Sequence, residues 1–68
     1  MEFSIKSESY NYEGSLYECI AFLQTKYVLL AEFAEETGLH FSMMRLNLNN
    51  PMIVEDDIGR EVTITRIK

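Results

Sequence analysis

The sequence contains a single cysteine, Cys19, so the chain cannot form an internal disulfide. At 68 residues it is near the size at which one hydrophobic core barely offsets the entropy lost on folding. Small domains without disulfides depend on dense packing, a metal or association with a second chain. One proline and three glycines are few, and 47% of the residues are hydrophobic, which is typical of a globular fold. We therefore expect residues 1–68 to form one compact domain.

Long apolar runs and a basic leader are also missing. No wholly apolar run is longer than that from Tyr27 to Ala31, which is far too short to span a bilayer. The chain begins Met1-Glu2, without the basic stretch that opens a secretory signal peptide. Together with the lone cysteine, which agrees with a reducing compartment, these absences predict a cytoplasmic protein that does not bind membranes.

Basic side chains are scarce, since six Lys and Arg stand against eleven Asp and Glu for a net charge of −5. Such a charge repels nucleic-acid phosphates, whose binding requires clustered Lys and Arg. The excess is confined to residues 1–38, which hold seven acids and two bases, whereas residues 39–68 hold four of each. The composition predicts no direct binding of DNA or RNA and favours a protein partner with a basic groove.

Residues 2–9 have the period of two that is typical of a strand with one buried face. Phe3 and Ile5 lie on one face of this segment. The other face is polar and consists of Glu2, Ser4, Lys6 and Glu8. Residues 10–14 interrupt the alternation and are predicted to form a loop. Ser15 followed by Glu18 then matches a capping box, which predicts that a helix begins there.

The predicted helix continues to Gly38, because glycine is the usual residue at a helix C-terminus. Its core stripe has alternating spacings of four and three residues and consists of Leu16, Ile20, Leu23, Tyr27, Leu30 and Ala34. No glycine or proline interrupts this stretch, which favours one continuous helix. The alternative is a break near residues 24–26 that divides it into two shorter helices.

After Gly38 the residues favour strands. Met44, Leu46 and Leu48 alternate with polar residues, and Asn49-Asn50-Pro51 is typical of a turn. Two further strands, at 52–55 and 61–67, flank a hairpin loop at 56–60. The sequence thus predicts an α+β fold with two layers. One long helix packs on a mainly antiparallel sheet of about four strands, in the order β-α-β-β-β.

The helix carries a second apolar stripe, formed by Phe22, Leu29 and Phe33, away from the centre of the core stripe. The combined apolar arc is wider than the roughly 100° that a helix needs to cover a sheet. One interpretation is internal, with the sheet curling round the helix or the helix breaking and reorienting. The other is an exposed aromatic surface that docks a second copy or another protein.

Acidic residues line the opposite side of the same helix, namely Glu18, Glu32, Glu35 and Glu36. Glu13 precedes the helix, and Glu55-Asp56-Asp57 lies in the hairpin region. Such residues commonly form a solvated face. The sharper interpretation is that carboxylates spaced along a helix occupy phosphate positions in the basic groove of a nucleic-acid-binding protein.

The sequence contains no motif for catalysis or metal binding. Glu55-Asp56-Asp57 lacks the spacing and the final glutamate of a calcium loop, so a hairpin tip is the better interpretation. His40 and Cys19 are too few for a zinc site, and Cys19 is predicted to be a buried, inaccessible hydrophobe. His40 has no assigned nucleophile or orienting group and is interpreted as a helix-exit histidine. We expect neither enzymatic activity nor a cofactor.

The leading hypothesis is a non-enzymatic protein-binding module, an inhibitor or modulator that docks on a larger protein, with nucleic-acid-binding proteins among the candidate partners. The predicted docking face consists of Phe22, Leu29, Phe33, Glu18, Glu32 and Glu36. The alternative is a self-assembling homodimeric subunit that buries the same aromatic stripe. In size and charge the chain is similar to the small acidic inhibitors that phages encode, an analogy that rests on no motif.

Overall fold

The computed structural model describes residues 1–26 and 38–68 of the chain. Within these ranges the elements are β1 Glu2–Lys6, β2 Asn11–Ser15, α1 Leu16–Lys26, α2 Leu39–Met44, β3 Pro51–Glu55 and β4 Glu61–Arg66. The strands form one sheet in the order β2-β1-β4-β3, and every neighbouring pair is antiparallel. Helix α1 packs on this sheet, so the predicted α+β class with a helix on a four-stranded antiparallel sheet is confirmed.

The predicted order β-α-β-β-β is wrong in two places, the first of which is residues 10–14. Residues 11–15 form strand β2 rather than a loop, and Tyr12 pairs with Ile5 of β1. A tight turn joins the two strands, closed by a hydrogen bond of 2.9 Å from the Ser7 N–H to the Tyr10 carbonyl. The strand is hidden in the sequence because it is short and mostly polar, so its apolar alternation is weak.

The second error concerns residues 44–48, which were predicted to be a strand. Helix α2 ends at Met44, and Leu48 makes only an isolated parallel bridge with Arg66. Helical hydrogen bonds run from the Ser42 N–H to the Gly38 carbonyl and from the Arg45 N–H to the Phe41 carbonyl. The alternation at 44–48 is too short to decide between helix and strand, and helical packing places Met43 in the core.

The capping box at the start of α1 is confirmed in both directions. The Ser15 N–H donates to Glu18 Oε1 at 2.9 Å, and the Glu18 N–H donates to Ser15 Oγ at 3.2 Å. Gly14 makes room for this arrangement, because a Cβ there would lie 3.0 Å from Glu18 Oε1 and 3.2 Å from a ring carbon of Tyr12.

The described part of the core stripe, Leu16, Ile20 and Leu23, is buried as predicted. The rest of that stripe falls on Tyr27, Leu30 and Ala34, which lie outside the described residues. Helix α1 is described as far as Lys26, so the choice between one continuous helix and a break near residues 24–26 falls there too. Gly38, predicted to end the long helix, directly precedes α2.

The core lies between α1 and the inner face of the sheet, with Met43 of α2 beside it. Among the residues whose burial the structure describes, the hydrophobic ones that are fully or nearly fully buried are Phe3, Ile5, Leu16, Cys19, Ile20, Leu23, Met43, Val62 and Ile64. Ser4, predicted to face solvent, is also buried, because the neighbouring strands β2 and β4 flank it on both sides.

The burial of Cys19 is confirmed, since its side chain has no solvent exposure. Its Sγ lies 3.6 Å from both the Phe3 and the Gly14 carbonyl oxygens. Burial raises the pKa of the Cys19 thiol to about 11, so the reactive thiolate is scarce near neutral pH.

The predicted turn and hairpin in the second half are also confirmed. Asn49 has a φ of +64° at the turn before β3. Strands β3 and β4 are joined by residues 56–60, with a hydrogen bond from the Gly59 N–H to the Asp56 carbonyl. The hydrogen bond from the Asp56 N–H to the Arg60 carbonyl closes a loop of three residues, 57–59. Gly59, the last of them, has a φ of +83°, the left-handed conformation that such a loop needs at this position.

Candidate functional site

Exposed apolar side chains from α1 and α2 meet on the helix layer of the molecule. Tyr17 of α1 is 67% exposed, and Phe41 and Met44 of α2 are 45% and 43% exposed. The His40 ring is close to both aromatic rings, with its centroid 5.8 Å from that of Tyr17 and 5.5 Å from that of Phe41. Met44 is three residues from Phe41 and so lies on the same side of α2. We call Tyr17, His40, Phe41 and Met44 the helix-layer patch.

No role was assigned to Tyr17 from the sequence, and the patch was missed. The misassignment of residues 44–48 as a strand separated Phe41 and Met44 from α1. A signal was present, because Phe41 and Met44 have helical spacing and share an exposed side. His40, interpreted as a helix-exit residue, is the second residue of α2.

Glu18 follows Tyr17 in the first turn of α1 and adds a negative charge to this end of the helix. Hydrogen bonding with Ser15, first of all the bond that its backbone N–H donates to the carboxylate, holds the pKa of Glu18 below its usual range. The charge is therefore fixed in position and persists at every physiological pH. The other acids of the predicted docking face, Glu32 and Glu36, lie outside the described residues.

Phe22, predicted to dock a partner, packs against rings of its own domain. Its ring stacks on Tyr12, with centroids 4.6 Å apart and planes 9° apart, and meets Tyr10 edge-on at 5.5 Å. Strand β2, which sequence reasoning missed, supplies Tyr12, and the β1–β2 turn before it supplies Tyr10. Together these rings half-bury Phe22. This arrangement corresponds to the internal interpretation of the second apolar stripe at this position. Its other members, Leu29 and Phe33, lie outside the described residues.

The acidic hairpin segment is organised by the Asp56 carboxylate, which is buried. Oδ1 accepts hydrogen bonds from the backbone N–H groups of Ile58 at 3.1 Å and Arg60 at 2.9 Å. Oδ2 accepts from Arg60 Nε at 2.9 Å and from the Tyr10 hydroxyl at 3.1 Å. Asp56 thus links the β3–β4 loop to the β1–β2 turn, which agrees with the prediction of a hairpin tip at this position.

Cations complete the cluster round Tyr10. The Arg60 guanidinium lies 5.6 Å from the centroid of the Tyr10 ring, and Lys26 Nζ lies 5.3 Å from it. The Lys26 carbonyl also accepts a hydrogen bond from the Asp57 N–H at 3.0 Å, so the loop is fastened to the described end of α1. The cluster therefore ties three segments together at one end of the sheet.

The pKa values in this cluster follow from its hydrogen bonds. Burial opposes ionisation of Asp56, but hydrogen bonds from Arg60, Ile58 and Tyr10 outweigh it and hold the pKa of Asp56 below its usual range. Burial, together with the hydrogen bond to Asp56 and its charge, raises the pKa of Tyr10. Asp56 is therefore ionised and Tyr10 neutral over the physiological range.

A groove of about 640 Å³ lies between the two hairpin loops on the open face of the sheet. Its lining is polar with charges of both signs: Lys6, Ser7, Glu8, Gly59, Arg60, Glu61 and Thr63. Asp56 and Ser9 hold the Arg60 guanidinium. Among residues 1–26 and 38–68, no three His, Cys, Asp or Glu side chains lie close enough together to bind a metal ion.

In comparisons with protein-family models, with curated proteins and with solved structures, no match to this chain was found. Neither of the two described helices is long and apolar enough to cross a membrane. Function is therefore inferred from the surface chemistry of the described residues and from the sequence.

Proposed function

We propose that this protein is a non-enzymatic protein-binding module that acts as an inhibitor or modulator by docking on a larger protein. The observation that carries the proposal is the helix-layer patch, in which Tyr17, Phe41 and Met44 expose apolar side chains beside one another. Large apolar side chains clustered at a surface are typical of protein-association sites. Aromatic residues in such clusters commonly supply most of the binding free energy.

Charge indicates the kind of partner. Glu18, the residue after Tyr17 in the first turn of α1, is ionised, and the whole chain has a net charge of −5. An acidic surface with an aromatic centre is complementary to a basic groove such as that of a nucleic-acid-binding protein. The docking face assigned from the sequence also contains residues beyond the described part of α1, and these remain part of the proposal: Leu29, Glu32, Phe33 and Glu36.

The experiment compares matched variants for binding and for stability. The immobilised protein is used to capture a partner from a lysate of the source cells, and the purified partner is then titrated against each variant. Tyr17→Ser and Phe41→Ser are each expected to weaken binding by roughly 10–100-fold. Removing a hot-spot aromatic residue costs about 1.4 kcal/mol of binding free energy or more, and each 1.4 kcal/mol is a factor of about ten in Kd. Both changes are at exposed positions, so the free energy of unfolding should change by less than about 0.5 kcal/mol.

Ile58→Ser and Phe22→Ala are the controls. Ile58 is exposed at the hairpin loop, so Ile58→Ser should leave both the binding affinity and the free energy of unfolding unchanged. Phe22→Ala should lower the free energy of unfolding by roughly 1–3 kcal/mol while sparing affinity, because Phe22 packs on Tyr10 and Tyr12. The proposal would be contradicted if Tyr17→Ser and Phe41→Ser left the affinity unchanged while Phe22→Ala abolished binding without lowering stability. Affinity that does not fall as salt rises from about 50 to about 300 mM would contradict the basic groove.

A further inference from the structure

The two strands at the edges of the sheet, β2 and β3, differ in how they expose their backbones. An edge strand presents unpaired N–H and C=O groups that can pair with another strand. In antiparallel ladders these groups point alternately towards the neighbouring strand and away from it. The hydrogen bond from the Asp56 N–H to the Arg60 carbonyl fixes this alternation in β3. With this alternation, the backbone N–H and C=O groups of Ile53 and Glu55 point away from β4 towards the free edge. The C=O of Pro51 does so too, but Pro51 has no N–H.

The β2 edge is protected against pairing with itself. The hydrogen bond from the Ser7 N–H to the Tyr10 carbonyl directs the backbones of Asn11, Glu13 and Ser15 outwards. The Ser15 N–H is already bonded to the Glu18 carboxylate at 2.9 Å. Exposed Glu13 stands at the middle of the strand, so two copies paired about it would place like charges opposite each other.

The β3 edge, in contrast, is suited to pairing with another copy of itself. Ile53, at the middle of the strand, is 60% exposed on the open face of the sheet. Met52 and Val54 are half-buried on the helix side and pack against the margin of the core. A five-residue strand rich in β-branched residues, with an apolar residue at the centre of its exposed face, readily accepts another strand.

We propose that two copies of this chain associate through their β3 strands, antiparallel about a two-fold axis at Ile53. The two sheets then form one continuous sheet of the described strands from both copies. This inference concerns the sheet edge and does not depend on the helix-layer patch.

The two-fold register explains why the strand that pairs with β3 is the β3 strand of a second copy. Pairing about Ile53 places Ile53 opposite its equivalent, and Met52 opposite Val54 of the other copy, so that apolar pairs form on both faces. Glu55 then faces Pro51 and not another acid. An axis at Glu55 would oppose two carboxylates, and an axis at Pro51 would oppose two residues without an N–H. Of the three outward positions, Ile53 alone gives a self-complementary strand pair.

The contact is small, because each copy contributes a single five-residue strand. Interfaces below about 1,200 Å² are typical of weak, reversible association. We therefore expect a concentration-dependent dimer with a Kd on the order of 100 μM.

Disulfide trapping tests the register. At the proposed axis the two Ile53 Cα atoms would be about 5.5 Å apart, within the range that a disulfide can bridge. Ile53→Cys at roughly 100 μM in a glutathione buffer should form covalent dimers about tenfold more than Glu13→Cys, the matched position at the middle of the β2 edge. Native Cys19 does not interfere, because it is buried and its pKa is about 11. Equal trapping at both positions, or none at position 53, would overturn the proposal.

Sedimentation equilibrium provides a second test without a cysteine. The average mass of the wild-type protein should rise towards that of a dimer as the concentration increases, whereas Ile53→Lys should remain monomeric with an unchanged circular dichroism spectrum. A wild-type protein that is monomeric at about 1 mM, or an Ile53→Lys variant that still dimerises, would overturn the proposal. Partner binding through the helix-layer patch should survive Ile53→Lys, so the two proposals fail independently.

Discussion

Replacing Met43 by aspartate is expected to abolish folding at room temperature. Met43 is fully buried at the meeting of α2 with the core, so Met43→Asp would place a carboxylate among apolar side chains. Such a group is either desolvated as a charge or forced to take up a proton, and either costs several kcal/mol. A domain of this size has only about 3–5 kcal/mol to lose. The circular dichroism spectrum should therefore be that of an unfolded chain.

Met44→Asp is the matched control and should fold. Met44 is 43% exposed, so a charge there remains in water and the unfolding free energy should change by less than about 1 kcal/mol. The strand predicted from the sequence for residues 44–48 places Met44 on its apolar face, so under that prediction Met44→Asp would be the damaging change. A folded Met43→Asp protein together with an unfolded Met44→Asp protein would contradict helix α2.

Removing the Asp56 carboxylate should give the second large effect. Asp56→Ala deprives the Ile58 and Arg60 backbone, the Arg60 guanidinium and the Tyr10 hydroxyl of their shared acceptor. Partly buried donors left without an acceptor are costly, so we expect Tm to fall by roughly 10 °C. Asp57→Ala should change Tm by less than about 3 °C, because the hydrogen bond of Asp57 to Lys26 uses its backbone N–H. Equal effects of the two changes in thermal melts would contradict the central role of Asp56.

The difference in Tm between the wild type and Asp56→Ala should depend on pH in one direction. The folded pKa of Asp56 is lower than that of an unfolded aspartate, which is about 3.9. Its contribution is therefore fully present above that value and is lost as the pH falls towards the folded pKa. Both proteins retain the capping carboxylate of Glu18, so the difference isolates Asp56. A gap that stays constant from about pH 7 to about pH 2 would contradict the ionised hydrogen-bonded carboxylate.

The elements that the sequence predicted correctly are those in which local chemistry and periodicity agree. Ser15 and Glu18 form both bonds of the capping box, and the spacing of Leu16, Ile20 and Leu23 faces the core. Residues 56–60 contain the glycine that their hairpin needs. At these places a few neighbouring residues are enough to determine the conformation.

The errors occur where tertiary pairing determines the conformation. Strand β2 is stabilised by pairing with β1 and by the packing of Tyr10 and Tyr12 on Phe22, none of which is visible in a local window. Met44 and the residues after it alternate like a strand, but the segment contains only a few apolar residues and burial of Met43 requires a helix.

The same limit applies to the candidate site. The sequence predicted an acidic and aromatic surface on the long helix, centred on Phe22, Leu29 and Phe33, which differs from the helix-layer patch. It could not indicate that Tyr10 and Tyr12 pack on Phe22, or that α2 brings the His40 ring close to that of Tyr17. Composition and helical angles give the amount of apolar surface, whereas the assignment of each ring to the core or to the exterior requires the neighbouring elements.

Site-specific photo-crosslinking in the source cells is the most direct measurement of whether the helix-layer patch is a docking surface. A photoreactive phenylalanine analogue replaces Phe41 in one protein and Ile58 in the other, both of which are exposed positions. We predict a discrete crosslinked product from position 41 that contains a protein with a basic groove, and that disappears when Tyr17→Ser is added. Position 58 should give no such product. The same product from both positions, or none from position 41, would contradict a protein-binding function for this patch.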